Sequence, residues 1–108
     1  MITNTEIDKT PTIIFASVGN AAVNLMIFCN TDDTLQAKVT VAVVPNGEEY
    51  ELKHLIIYKT ILNPLETLFF SQEKIILENG DTVYAIATQA ADETETIGVV
   101  STVSSLVL

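Results

Sequence analysis

A chain of 108 residues is the length of one domain, and with 48% hydrophobic residues it can build a core without a metal or disulfide staple. Its 14 acidic residues outweigh 5 basic ones, a net charge of −9, and every basic residue is a lysine. Without arginine, the planar fork suited to phosphates and base edges, nucleic acid is a poor partner, and the acidity argues equally against docking on an anionic bilayer.

No apolar run reaches the about 18 residues that would span a membrane. The N-terminus, Met1 to Lys9, is polar and acidic and lacks the basic and apolar regions of a secretory signal, so synthesis in a reducing cytoplasm is expected. Cys29 has no disulfide partner in the chain and, inside an apolar run, reads as a small core hydrophobe.

In chain order, residues 1–11 read as a flexible N-terminal arm closed by Pro11, which cannot donate to a ladder. Residues 12–108 read as a single β domain. Thr12 to Ser17 is a first strand and Gly19-Asn20 a turn. Ala21 to Asn30 alternates Val23, Leu25, Ile27 and Cys29 on one face with Ala22, Asn24, Met26 and Phe28 on the other. Both faces are largely apolar, which fits a central strand or a strand with one face covered by another subunit. Asn30 to Thr34 is a turn by composition, and Leu35 to Val44 a strand with Val39, Val41 and Val43 facing in. Pro45 to Glu49 is an exposed connection, with a short helical turn compatible between Glu48 and His54. Leu52 to Leu62 holds a further strand, Asn63-Pro64 breaks the chain, and Leu65 to Phe70 resumes it.

Asn79-Gly80, set between β-prone runs, is the strongest short-range hairpin signal in the chain, since both residues tolerate φ > 0. Gln89 to Glu95 is an acidic loop, and Thr96 to Leu108 is a strand-like end without a charge. Seven to eight strands at spacings of about 8–14 residues predict an all-β fold, an antiparallel β-sandwich of jelly-roll or immunoglobulin-like topology.

The chain lacks a catalytic toolkit. His54 is the only histidine, it reads as a strand-end surface residue, and no serine sits on a nucleophile elbow, so no catalytic residue and no enzyme are expected. One Cys and one His cannot make a zinc site, four glycines form no phosphate loop, and no cofactor is implied. The acidic turns are the remaining candidates for a ligand. Asp32, Asp33, Asp92, Glu93 and Glu95 could offer oxygens to a hard cation such as calcium, although none has EF-hand spacing. Glycoside hydrolysis is disfavoured by the absence of tryptophan platforms.

The uncharged end would be an aggregation hazard as an open edge, so it reads either as an interior strand or as a segment that inserts into a neighbour. Met26, Phe28, Val103, Leu106, Val107 and Leu108 are accordingly the expected contacts to a partner.

Several segments resemble, in order, small β-sandwich structural proteins of tailed-bacteriophage virions. They are Phe28-Cys29-Asn30, Val39 to Pro45, His54-Leu55-Ile56-Ile57-Tyr58, Asn63 to Leu68, and Ile76 to Val83. The resemblance implies a non-enzymatic virion component at the tail, neck, fibre base or capsid surface, repeated by symmetry as a trimer or ring and docked on other virion proteins. The alternative is a carbohydrate- or calcium-binding sandwich module carried on the end loops.

Overall fold

Val, Ile and Thr fill the apolar runs, and their stiff, branched side chains suit a pleated surface better than a helix. In the computed structural model, which describes residues 1–71 and 74–108, these runs form nine strands among the described residues. They are β1 (Ile2–Ile7), β2 (Thr12–Ala16), β3 (Ala21–Asn30), β4 (Ala37–Val44), β5 (Leu55–Leu62), β6 (Thr67–Phe70), β7 (Ile75–Leu77), β8 (Thr82–Gln89) and β9 (Val99–Val107). The helical turn expected before β5 is a single turn of 3-10 helix at Leu52–His54.

Two antiparallel sheets pack face to face. One runs β1-β9-β3-β6, with β7 also on β3; the other runs β2-β8-β4-β5. The chain goes out and back as one long hairpin, pairing β4 with β5, β3 with β6 and β7, β2 with β8, and β1 with β9. That hairpin is folded over so that β9 also meets β3 and β8 also meets β4. This strand order is a jelly roll and not an immunoglobulin sandwich, which resolves the two topologies compatible with the sequence.

The core lies between the sheets. Phe28, Met26 and Leu77 from the first sheet meet Ile14, Leu62, Val39, Val41 and Val83 from the second, all fully buried. Each such side chain contributes on the order of 1.5–3 kcal/mol of burial.

Two features differ from the sequence expectation, and a third decides between its alternatives. The arm is a strand: Ile2 to Ile7 pair with Ser104 to Val99, so β1 closes one edge of the first sheet. The C-terminal stretch is interior, held by β1 on one side and β3 on the other, which is the first of the two readings the sequence left open.

The second difference is the hairpin at Asn79-Gly80. The turn forms, with the Asp81 N–H donating to the Glu78 carbonyl at 3.1 Å, but β7 and β8 lie in different sheets. A two-residue hairpin of the favoured type needs φ > 0 at both central positions. Here Gly80 has φ +88° while Asn79 is not among the positive-φ residues. The turn therefore splays the two strands apart and carries the chain from one sheet to the other.

The alternation of β3 is broken once. A bulge between Val23 and Leu25 against β9 leaves Asn24 as the extra residue. Ala21 and Val23 point into the core before it, and Met26 and Phe28 after it. Because side-chain period is two, one inserted residue moves every later side chain to the other face. Leu25, Ile27 and Cys29 therefore lie on the outer surface, each half-buried, and Cys29 is not the core hydrophobe expected.

Candidate functional site

The re-phased β3 gives the first sheet an unusual outer face. Register places Leu25 beside Ser104, Ile27 beside Thr102 and Phe69, and Cys29 beside Val100 and Thr67. Ala22 lies between Leu106 and Ile76, while Ile2, Asn4 and Glu6 extend the face across β1. Phe69 (63%), Ile76 (62%), Ile2 (61%) and Leu106 (51%) are largely exposed there. Glu6 is the one acidic or basic side chain on the strands of this sheet. In a chain of net charge −9, that is a broad surface of apolar and uncharged polar side chains from which charge is almost absent among the described residues.

The partner contacts expected from sequence divide. Leu106, Val107 and Leu108 are exposed, but Met26, Phe28 and Val103 are 0% exposed inside the sandwich and present nothing to a partner. The correction follows from the bulge: the outward residues of β3 are Leu25, Ile27 and Cys29 in place of Met26 and Phe28.

The acidic candidates lie in two adjoining loops. The Ala90 N–H donates to the Gln36 carbonyl at 2.8 Å, and the Thr31 hydroxyl to the Gly98 carbonyl at 2.6 Å, joining the β3–β4 and β8–β9 connections. Three of the five carboxylates are already engaged. Asp32 Oδ1 accepts the N–H groups of Thr34 and Leu35, both at 2.8 Å, and these hold its pKa below the ordinary aspartate value. Asp92 Oδ1 accepts the Thr94 hydroxyl at 2.6 Å and the Thr94 N–H at 3.0 Å, with the same direction of shift. Glu93 turns away to two lysines. Asp33 and Glu95 are exposed, and among the described residues no three acidic, His or Cys side chains are grouped to hold a metal ion. The five candidates act as turn caps, an ion pair and solvated charges, and they do not converge.

His54 is also misplaced by sequence reasoning. It is buried: its Nδ1 accepts the Glu51 N–H at 3.2 Å, and Nε2 lies 3.1 Å from Glu48 Oε1. With Nδ1 accepting, the ring proton sits on Nε2 and points at Glu48, so both ring nitrogens are used in shaping the β4–β5 connection. The His54 hydrogen bond, aided by Lys53, lowers the Glu48 pKa.

The opposite face of the molecule holds a second feature that the sequence reading missed. On the outer side of the second sheet, Tyr58 and Lys59 from β5, Lys38 and Thr40 from β4, and Ile86 and Thr88 from β8 line a groove of about 230 Å³. Lys9, Tyr50 and Glu93 close it from three loops. A bulge in β5 sets Tyr58 and Lys59 together against Thr40, and Lys59 adopts φ +48° with its N–H on Thr40 Oγ1 at 3.1 Å.

Glu93 bridges the two strand lysines, at 2.9 Å to Lys59 and 3.4 Å to Lys38. That contact raises the Lys59 pKa and lowers that of Glu93. Lys59 Nζ stands 5.4 Å over the Tyr58 ring, Lys9 Nζ donates to the Thr94 carbonyl at 3.2 Å, and Tyr50 meets Tyr84 edge to face at 6.0 Å. No continuous motif encodes this groove, because its residues come from six segments. The outward positions of β4 and β8, Lys38 and Thr40 with Tyr84, Ile86 and Thr88, were the one legible signal.

No protein-family model, curated protein or solved structure matches the chain.

Proposed function

We propose that this chain is a non-catalytic structural subunit that self-assembles through the outer face of the β1-β9-β3-β6 sheet. The role is that of the tailed-phage virion proteins it resembles, in which an assembled ring or trimer docks on a larger particle. The observation that carries the reading is the near absence of charge, among the described residues, from one broad and largely apolar face. Copies bearing −9 each repel one another wherever their charged loops meet, so like molecules approach at least electrostatic cost through this face. The occupant is therefore a second copy of the chain.

The extent of the surface is adequate. The molecule measures 40 × 24 × 20 Å, so a broad face is on the order of the ~800 Å² that each partner gives to a standard interface. The jelly-roll order adds support, being an architecture used by capsid subunits.

Light scattering over a concentration series tests the proposal. The native chain is expected as a fixed oligomer, and the double variant Phe69→Lys/Ile76→Lys as a monomer with an unchanged unfolding midpoint. Both positions are exposed, so the lysines cost the fold little. A native chain that stays monomeric at every concentration overturns self-assembly, as does an oligomer that the two lysines leave intact.

A further inference from the structure

We infer that the groove on the outer face of the second sheet is a binding site for an acidic sugar residue, a pyranose bearing a carboxylate. The site lies on the face opposite the proposed assembly surface and stands independently of it.

The charge distribution is the first argument. The chain has five basic residues, and three of them, Lys9, Lys38 and Lys59, line this one groove. Glu93 offsets one of the three, which leaves two net positive charges on a molecule of net charge −9. Lysines scattered for solubility would not gather against a single carboxylate. A groove with a positive surplus in an oppositely charged surface concentrates the counter-ion, here an anion.

The second argument is the wall chemistry. Tyr50 and Tyr58 flank the groove, and Ile86 forms part of its lining. Aromatic faces bury large apolar area at low entropic cost while their hydroxyls remain available for polar contacts. Thr40 and Thr88 lie in the lining, and Glu93 supplies an acceptor. A ligand that uses all of these carries a compact anion for lysine, C–H surface for tyrosine, and hydroxyls for threonine and glutamate. A bare inorganic anion uses only the lysines, and a neutral sugar leaves them idle. The volume of about 230 Å³ suits one ring and excludes a bulky ligand from full enclosure.

The backbone supports a built site. Lys59 is held at φ +48°, a conformation that side-chain-bearing residues rarely adopt, by the bulge that places Tyr58 and Lys59 together. Residues kept in sparsely populated regions gather at ligand clamps, where the surrounding structure over-determines them.

The test is titration of the ¹⁵N-labelled protein, followed by amide shifts, with D-galacturonic acid and N-acetylneuraminic acid. D-galactose and inorganic phosphate run as parallel arms. At least one acidic sugar is expected to saturate shifts at residues 38–40, 58–59 and 86–88, with affinity falling as salt is raised. Lys59→Asn, which keeps a residue tolerant of the left-handed backbone, and Tyr58→Ala are each expected to weaken binding by about tenfold while leaving the remaining spectrum folded. Phosphate binding as tightly as the acidic sugars reduces the site to an anion hole and overturns the saccharide assignment. Equal binding of galactose removes the role of the lysines. No shift at the groove with either acidic sugar at high millimolar concentration overturns the inference outright.

Discussion

Asp81 and Asn46 lock two distant turns together: the Asn46 backbone N–H donates to Asp81 Oδ1 at 2.9 Å. The other oxygen, Oδ2, accepts the N–H of Glu78 at 2.8 Å. One carboxylate thus fixes the β7–β8 turn and pins the β4–β5 connection to it. At the same end, the Gly80 N–H donates to the Ser17 carbonyl and the Ser17 N–H to the Asp81 carbonyl, both at 2.9 Å. The β2–β3, β4–β5 and β7–β8 connections therefore form one hydrogen-bonded cluster. Asp81→Ala leaves two backbone donors without this partner and is expected to cost about 2 kcal/mol. Asp81→Asn, which keeps a single acceptor oxygen, should cost less. Urea unfolding of the two variants checks the order; equal midpoints to the parent chain would show that water replaces the carboxylate.

Gly80 is required at this turn for two separable reasons. Its φ of +88° strains any side-chain-bearing residue, and a Cβ there would lie 2.5 Å from Asn46 Cγ. Gly19 has φ +74° but open space around it, so it carries only the first penalty. Gly19→Ala is expected to cost about 1 kcal/mol and Gly80→Ala about 2 kcal/mol or more. The excess should shrink when Asn46→Ala is added to Gly80→Ala, because that side chain is the obstacle. A double-mutant cycle on unfolding free energies measures this coupling directly.

These turns illustrate what was legible in the sequence. The apolar runs place β2 to β6 where they occur, and the acidic and Asn-Pro turns separate them, because β-branched periodicity and turn chemistry are local. The Asn79-Gly80 turn was legible, but its consequence was not: whether two strands pair or part depends on the φ of Asn79, and tertiary contacts to Asn46 and Ser17 surround the turn. The role of residues 2–7 was hidden because Ile2-Thr3-Asn4-Thr5-Glu6-Ile7 is too polar to read as a strand in isolation. It becomes one because β9 offers it a complete ladder. The apolar outer face was half visible in the doubly apolar β3, yet the bulge at Asn24 exchanged its two sets of side chains. The lysine-tyrosine groove was legible only in the outward positions of Lys38 and Thr40, since cross-strand register assembles the rest.

The exchange at Asn24 makes a sharp prediction about two phenylalanines. Phe28 is fully buried, so Phe28→Ala removes a large core side chain and leaves a cavity, at an expected cost of about 3–5 kcal/mol. Phe69 is 63% exposed on the outer face, so Phe69→Ala is expected to change the stability of the monomer by under about 1 kcal/mol. Thermal unfolding at a concentration where the chain is dissociated distinguishes them. A larger loss in Phe69→Ala than in Phe28→Ala would mean that β3 keeps unbroken alternation, because Ile27 and its register partner Phe69 would then face the core.

Acid should destabilise the protein through its turn carboxylates. Asp32 is held below the ordinary aspartate pKa chiefly by the Thr34 N–H and then the Leu35 N–H, Asp92 by the hydroxyl and N–H of Thr94, and Glu48 by His54. In the unfolded chain these groups take up protons near the ordinary values of roughly 4. In the folded chain they do so only at lower pH, so in the interval between the two the unfolded state binds more protons. The stability they contribute is fully present above the unfolded values and is lost as pH falls through the folded ones. Asp32→Ala removes one such group together with its caps on the β3–β4 turn. The variant is therefore expected to melt below the parent at about pH 6, with the gap closing as pH approaches about 2. Circular dichroism melts across that range read the gap. A difference in Tm that stays constant over the whole interval would mean that Asp32 holds its turn equally well with and without its charge.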